Sequence, residues 1–452
     1  MGQERQESWK GIAELFHSSV RAPSERKIGV EIERIGAWDD GSTMHYRDRT
    51  LPTGFVRPGA RTLLNKLADN QTGWSPVRSS AGEPLGFVTP LGKVSLEPGS
   101  QLELSTQPAD TLHSVKANVD AFDSILFPIT EPLGLHWIGL GLNPCEAVTD
   151  VDLIASPRYD IMTEYLGQRG KLGTSMMRLT TSVQINLDYT SEEEGIEMLR
   201  ASLAVAPISY ALFGNSPIGK GKPNGFLSFR QEIWTDTDKD RTGFIPEAFG
   251  KNFNFNDYAK PIWHQPLMFA QDHKREYVPG LGKSLEDISR GALPNVCADE
   301  WNQLNAVREY FTEARLKPGY VEVRSIDGLG ARDRYASIAF WVGLLYSSEA
   351  RKKTLQLLGG LSDDERRALA ASAAKEGVSA KLNGKSLREL SLILTDTAKT
   401  SLEERGHGEE AYLKPIYENL EENTNPGLRI LKLYQGEWQH QIAALIQNSA
   451  AS

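Results

Sequence analysis

The chain has 452 residues, 24% of them charged, a formal net charge of −9 and no long basic run. That balance excludes the electrostatic footprint of a nucleic-acid binder and gains nothing at an anionic membrane surface. Two cysteines in unrelated contexts, Cys145 and Cys297, exclude a disulfide scaffold or thiolate zinc site, and the eight histidines form no His-x-x-x-His pair. No apolar stretch approaches the roughly 20 residues of a membrane-spanning helix. The polar opening reads as neither a secretory signal nor a transit peptide, so the expectation is a soluble, cytosolic protein.

An amphipathic helix is expected over 7–20, with Trp9, Ile12, Phe16 and Val20 along one side. In the strand Gly-Val-Glu-Ile-Glu-Arg (29–34), Glu31 and Glu33 share one face and Val30 and Ile32 the other, because side chains alternate along a strand. A loop-rich stretch (36–59) and a short helix (62–67) follow. Residues 86–104 read as a hairpin broken by Gly92 and by Pro98-Gly99, and they carry Glu97 and Glu103. A helix over 109–127 and an apolar strand over 135–142 come next.

The stretch 176–189 reads as one long strand, with Gln184, Asn186 and Asp188 on one face and Val183, Ile185 and Leu187 on the other. Ser191-Glu-Glu-Glu194 is a capping-box signal opening a helix to about residue 212. The segment 219–243 reads as a long polar loop in which Phe226, Phe229 and Trp234 interleave with Arg230, Lys239 and Arg241. In Tyr-Val-Glu-Val-Arg-Ser (320–325), Glu322 and Arg324 share a face. Beyond residue 345 the chain is helical and charge-rich, with a clear helix start at Ser362-Asp-Asp-Glu. Strands come as hairpins and single runs without a βαβ repeat, so the fold class is α+β with an antiparallel sheet. We expect one domain over 1–452, its C-terminal portion helical from about residue 347.

The five glutamates, Glu31, Glu33, Glu97, Glu103 and Glu322, recur in strand-like segments far apart in the chain. If those strands are neighbours, several carboxylates crowd one surface. Two of them about 5 Å apart repel by roughly 3 kcal/mol at an effective dielectric near 20, so the cluster calls for cations. Magnesium uses only one or two protein carboxylates per ion, with waters and phosphate oxygens completing its shell. A five-carboxylate set therefore points to two or more Mg²⁺ ions holding a nucleoside triphosphate. Arginines among aromatics, as in 226–241, suit bidentate recognition of carboxylate or phosphate.

Several of these segments resemble the plant-type glutamate–cysteine ligases, a family of glutamine-synthetase-like carboxylate–amine ligases. They are Asn215-Ser-Pro217, Gly221 to Arg230, Ile233 to Gly243, Ser95 to Ser105, Arg158 to Met162, Ser182 to Asp188 and Ala339 to Tyr346. The likeness runs from about residue 25 to 440. It implies an antiparallel sheet cradling Mg-ATP, with helices behind. It also implies activation of the glutamate γ-carboxylate as an acyl phosphate, followed by attack of the cysteine amine, or of another amine, to give a γ-glutamyl amide. The partners implied are small molecules only, with the chain a monomer or homodimer.

On this resemblance Glu31, Glu33, Glu97, Glu103 and Glu322 match metal ligands, and Arg324 the phosphate-stabilising arginine, with Arg241 a second catalytic candidate. Arg230, Lys239, Gln184, Asn186 and Trp234 are candidates for binding substrate or ATP. The chain departs from the family at Leu179, where an arginine is expected and Arg178 stands one place earlier. It departs again at Gly328-Leu-Gly-Ala331 and in Lys317-Pro-Gly-Tyr320, and these changes are expected to fall where substrate side chains are read. The residues alone also leave open a phosphotransferase without ligation and a non-catalytic binding protein.

Overall fold

The computed structural model describes residues 9–69, 71–79 and 81–449. Its centre is a nine-stranded sheet: β1 (Ile28–Trp38), β2 (Ser75–Arg78), β3 (Pro84–Thr89), β4 (Gly92–Leu96), β5 (Leu102–Thr106), β6 (Leu135–Ile138), β7 (Val183–Asp188), β8 (Ala314–Lys317) and β9 (Tyr320–Val323). Eight of them run in the order β8-β9-β7-β1-β5-β4-β3-β2, and β6 pairs with the far half of β1 from Ile35 onward. All these pairings are antiparallel.

The register brings the separated glutamates together. Glu33 lies opposite Glu103, Glu31 opposite Gln184, and Glu322 opposite Asn186. The alternating residues Val30, Ile32, Val183, Ile185, Val321 and Val323 are buried on the other face. Arg34 falls on that apolar face as well, where a lone charge would be costly. Asp123 takes it in a buried two-pronged ion pair.

Helices cover the apolar face. The helices that matter below are α1 (Trp9–His17), α2 (Leu112–Thr130), α3 (Pro157–Leu166), α4 (Gly173–Leu179), α5 (Glu192–Phe213), α6 (Phe229–Thr235), α7 (Glu300–Arg308), α8 (Ala331–Leu345), α9 (Asp363–Glu376) and α10 (Leu387–Arg405). α2 packs on β1 and β5, α5 on β8 and β9, and α8 on β7. α5 starts at Ser191, whose hydroxyl accepts from Glu194 N, and α9 starts in a reciprocal Ser362–Glu365 capping box. One apolar core runs from Ile12 to Leu420. A smaller one joins Ile35 and Ile138 to Tyr434 and Leu445, so the C-terminal helices complete the packing behind the sheet.

Four expectations are corrected. α5 is long and apolar enough to cross a membrane, contrary to the reading above, but 89% of its apolar window is buried inside the protein, which explains an apolar character on every side. The stretch 176–189 is not one strand: residues to Leu179 belong to α4, and the strand starts at Val183. The loop 219–243 contains α6, and the apolar strand at 135 ends at Ile138. The first helix begins at Trp9, and residues 7 and 8 of its expected span lie outside the described residues.

Candidate active site

The polar face of the sheet, together with α3, α4, α6 and α7, encloses a cavity of about 330 Å³. One wall is acidic. β1 contributes Glu31 and Glu33, β5 contributes Glu103, and the tight turn between β4 and β5 contributes Glu97. That turn is pressed against the end of α4: a Cβ on Gly99 would come within 2.2 Å of the Arg178 carbonyl oxygen, so only glycine fits. The Gln101 side chain locks the turn by accepting from Gly99 N (2.8 Å) and donating to Thr180 O (2.9 Å).

The acidic side chains are individually oriented. Glu33 accepts from Ser182 N (2.7 Å) and Gln184 Nε2 (3.0 Å), Glu31 from Asn186 Nδ2 (2.9 Å), and Glu103 from the hydroxyls of Ser105 (2.8 Å) and Ser95 (3.1 Å). Burial and then mutual repulsion push all of them up to about 7: Glu103 acts on Glu31 and Glu33, Glu33 on Glu97, and Glu97 on Glu103.

Basic side chains line the same cavity. Arg158, Arg230, Arg308, Arg315, Lys317 and Arg324 all line the cavity, and Lys93 joins them from β4. Glu322 anchors the nearest of these. Arg315 reaches it through two guanidinium nitrogens, Arg324 Nη1 lies 2.9 Å from its Oε2, and Lys317 Nζ lies 3.6 Å from its Oε1. Burial alone would raise Glu322, but Arg315, Lys317 and Arg324 overwhelm it and hold the carboxyl far below the usual range. Burial and Arg315 push Lys317 down to about 8.

Arg324 also donates to Gln184 Oε1 (2.5 Å) and lies 5.2 Å from the Trp234 ring, over which Arg230 sits at 5.6 Å. Three buried polar atoms on this cavity have no partner: Arg230 Nε, Trp234 Nε1 and Glu309 Oε1. A polar ligand entering the cavity would supply partners for them.

Of the residues singled out from sequence, Glu31, Glu33, Glu97, Glu103, Gln184, Arg230, Trp234 and Arg324 line this cavity. Glu322 and Asn186 stand directly behind it, bonded to residues that do. Arg241 and Lys239 are not among its lining residues. Arg241 is 1% exposed and committed elsewhere, to Asp238 (2.5 Å), Glu309 (3.2 Å), the Tyr165 hydroxyl (2.9 Å) and Pro266 O (2.6 Å). Lys239 opens onto a different cleft.

The departures at 178–179 and 328–331 do not line the cavity either. Arg178 donates to the carbonyls of Val148 and Val151 from a helix, so the strand-offset argument does not apply to it, and Leu179 is buried in the core. Sequence reading named none of Lys93, Arg158, Arg308, Arg315 and Lys317 as a site residue, although Lys317 opens the departing segment 317–320, which does reach the cavity. The signal for two of them was present: Ala-Arg-Leu-Lys (314–317) alternates, and the turn at Pro318-Gly319 folds Arg315 opposite Glu322.

Among the described residues, no three acidic, histidine or cysteine side chains are close enough to hold one ion between them. The donor set still fits magnesium, which takes one or two carboxylates per ion and completes its octahedron with water and phosphate. Burial and mutual repulsion push these four carboxylates up to about 7, a repulsion that a bound cation would relieve.

The family model for glutamate–cysteine ligase family 2 matches residues 64–448. The chain is 35% identical over 440 residues to the chloroplastic glutamate–cysteine ligase of Medicago truncatula, covering 95% of this chain and 83% of that one. It is 36% identical over 427 residues to the chloroplastic enzyme of Arabidopsis thaliana, covering 93% and 78%. In fold it is similar to the Francisella tularensis glutamate–cysteine ligase solved with AMP, at TM-score 0.59 and 13% identity over 94% of this chain and 88% of that one. It is also similar to a bifunctional glutathione synthetase from Pasteurella multocida, at TM-score 0.52 and 15% identity, covering 98% and 52%. Because the matching relatives are chloroplastic enzymes, the expectation of a cytosolic protein is overturned. The family match and the identity over nearly the whole length agree: this chain belongs to glutamate–cysteine ligase family 2.

Proposed function

We propose that this protein is an ATP-dependent ligase that joins the γ-carboxylate of glutamate to the amine of cysteine, giving γ-glutamylcysteine, and that it works as one domain over its length. The observation that carries the reading is a single cavity lined by both a carboxylate cluster and a cluster of basic side chains, in a chain of this family. A carboxylate is a poor electrophile and must first be activated. A γ-carboxylate oxygen attacks the γ-phosphorus of ATP, the bond to the β-phosphate oxygen breaks, and ADP leaves. The amine nitrogen then attacks the acyl carbon, the carbon–oxygen bond to phosphate breaks, and phosphate departs with the proton that the amine loses.

Glu31, Glu33, Glu97 and Glu103 would hold Mg²⁺. Glu322 would join them when Arg315 and Lys317 turn from it to the incoming triphosphate. When bound, magnesium neutralises the charge on the phosphate oxygens. Gln184 and Asn186 keep Glu33 and Glu31 aimed, as hydrogen-bonding partners of ligating carboxylates do. Arg324, backed by Arg315 and Lys317, faces charge developing on the transferred phosphoryl group, a stabilisation that is strong because the site is buried. Arg230 and Trp234 line the cavity, each with a buried nitrogen that has no protein partner, and grip the glutamate carboxylates. Arg241 positions Glu309 and the loop after α6 and does not touch substrate.

Glutamate carrying ¹⁸O in its γ-carboxylate tests the reading. Supplied with Mg-ATP and cysteine, the enzyme should form γ-glutamylcysteine and pass one labelled oxygen to the released phosphate. Unlabelled phosphate, or phosphate release that ignores cysteine and responds to another amine, would overturn it.

A further inference from the structure

The helix that carries Arg230 and Trp234 to the main cavity has a second face. Positions four apart stack on a helix, so 230 and 234 form one row and 231 and 235 the next. Gln231, Glu232 and Thr235 line a separate cleft of about 380 Å³, as large as the cavity that α6 serves on its other side. Two cations, Lys239 and Arg367, and two carboxylates, Glu232 and Glu313, line the cleft. Among the described residues, no ion pair engages Lys239 or Glu232.

Gln231 is 5% exposed, and its Oε1 has no hydrogen-bond partner, although its Nε2 donates to Thr235 Oγ1 at 3.0 Å. A buried amide oxygen left unpaired is unfavourable, and a donor entering from the cleft would relieve it. Arg367 Nε donates to Asp363 (2.7 Å), and its guanidinium packs on Gly243. Gly243 has φ +98°, and a Cβ there would come within 3.0 Å of Arg367 Nη1, so glycine lets that guanidinium lie against the backbone.

We propose that this cleft is a second ligand site, for a small zwitterion of the α-amino-acid class. Its carboxylate would rest on Lys239 and Arg367, and its ammonium group would meet Glu232 and Gln231 Oε1. Glu313 lines this cleft and also the narrow space that it shares with Arg230, Trp234 and Arg324. Occupation therefore bears on the wall of the main cavity and changes the KM for glutamate, a coupling that rests on the glutamate-gripping role proposed for Arg230.

The test uses the full chain with its main cavity filled by magnesium, a non-hydrolysable ATP analogue and glutamate. Calorimetric titration with L-alanine, L-glutamine and γ-glutamylcysteine should give saturable one-to-one binding for at least one of them, and which one saturates distinguishes a free amino acid from the reaction's product. Ethylamine and propionate, each with half the charge pattern, should bind at least about tenfold more weakly. The exposed double variant K239A/R367A and the single variant Glu232→Gln should each weaken binding by about tenfold. Loss of saturable binding for all three zwitterions, or equal affinity in wild type and variants, would overturn the proposal. Because this readout needs no turnover, its failure is distinguishable from failure of the ligase reading.

Discussion

Glu103 and Glu322 lie on the same face of one sheet, separated by β7 and β1, and both are buried. Desolvation acts on each in the same direction, yet Glu103 is pushed up to about 7 and Glu322 is held far below the usual range. Their neighbours make the difference: at the first the Glu97 carboxylate adds to desolvation, against lesser pulls from Ser105, Lys93 and Ser95, and at the second Arg315, Lys317 and Arg324 act together. A single sheet thus presents a cluster of mutually repelling carboxylates beside a cluster of cations. A ligand carrying both metal ions and phosphates satisfies the two at once, whereas a purely cationic or purely anionic ligand would satisfy one and aggravate the other.

The comparison can be broken by removing charge from each wall. The largest effect is expected at the basic wall. Glu322→Gln leaves Arg315, Lys317 and Arg324 crowded without their counter-charge, and stripping one partner from a buried ion pair costs about 3–5 kcal/mol. A urea-unfolding series on the metal-free protein should show that loss, and a change below about 1 kcal/mol would mean that the cations find other partners. Arg324→Ala should next lower kcat by on the order of 10²–10³-fold, the range for deleting one preorganised donor to a developing anion. An effect on KM alone would instead make Arg324 a ground-state binding residue.

Smaller effects sharpen the acidic side. Gln184→Leu removes the amide that aims Glu33 and should weaken Mg²⁺ binding by roughly 10–100-fold, measured by the metal dependence of initial rates. The pH dependence has a definite sign. Carboxyls raised from 4.5 to about 7 in the folded protein favour folding fully below 4.5, and that contribution is lost as pH climbs through about 7. In chelator, the melting temperature should therefore fall between pH 5 and 8 on account of these groups. Saturating Mg²⁺ should flatten the fall, because bound metal favours the deprotonated form.

Much of this arrangement was legible before any coordinates. Val30 and Ile32 alternating with Glu31 and Glu33 fix both the strand and its wet face, and the same pattern at Val321 and Val323 places Glu322. What sequence could not supply was partnership. Arg241 reads as a free cation among aromatics, because nothing in the string shows Glu309 and the Tyr165 hydroxyl closing around it. The helix at Phe229–Thr235 has seven residues, too few for a periodic signal, and its glycine- and proline-rich approach reads as loop. Met176 to Leu179 is equally ambiguous, an apolar run compatible with helix or strand, and tertiary packing of the Gly99 turn against it settles the matter.

The acidic wall is the heart of the account, and Glu103→Gln tests it most directly. Removing one of the facing carboxylates relieves repulsion worth roughly 1–3 kcal/mol while deleting one of the proposed magnesium ligands. In chelator at pH 8 the variant should melt above the wild type, and it should lose most of the stabilisation that Mg²⁺ and an ATP analogue confer on the wild type. A variant that melts lower than wild type without metal, yet keeps the full stabilisation by Mg²⁺ and nucleotide, would contradict the assignment of this wall as the magnesium site.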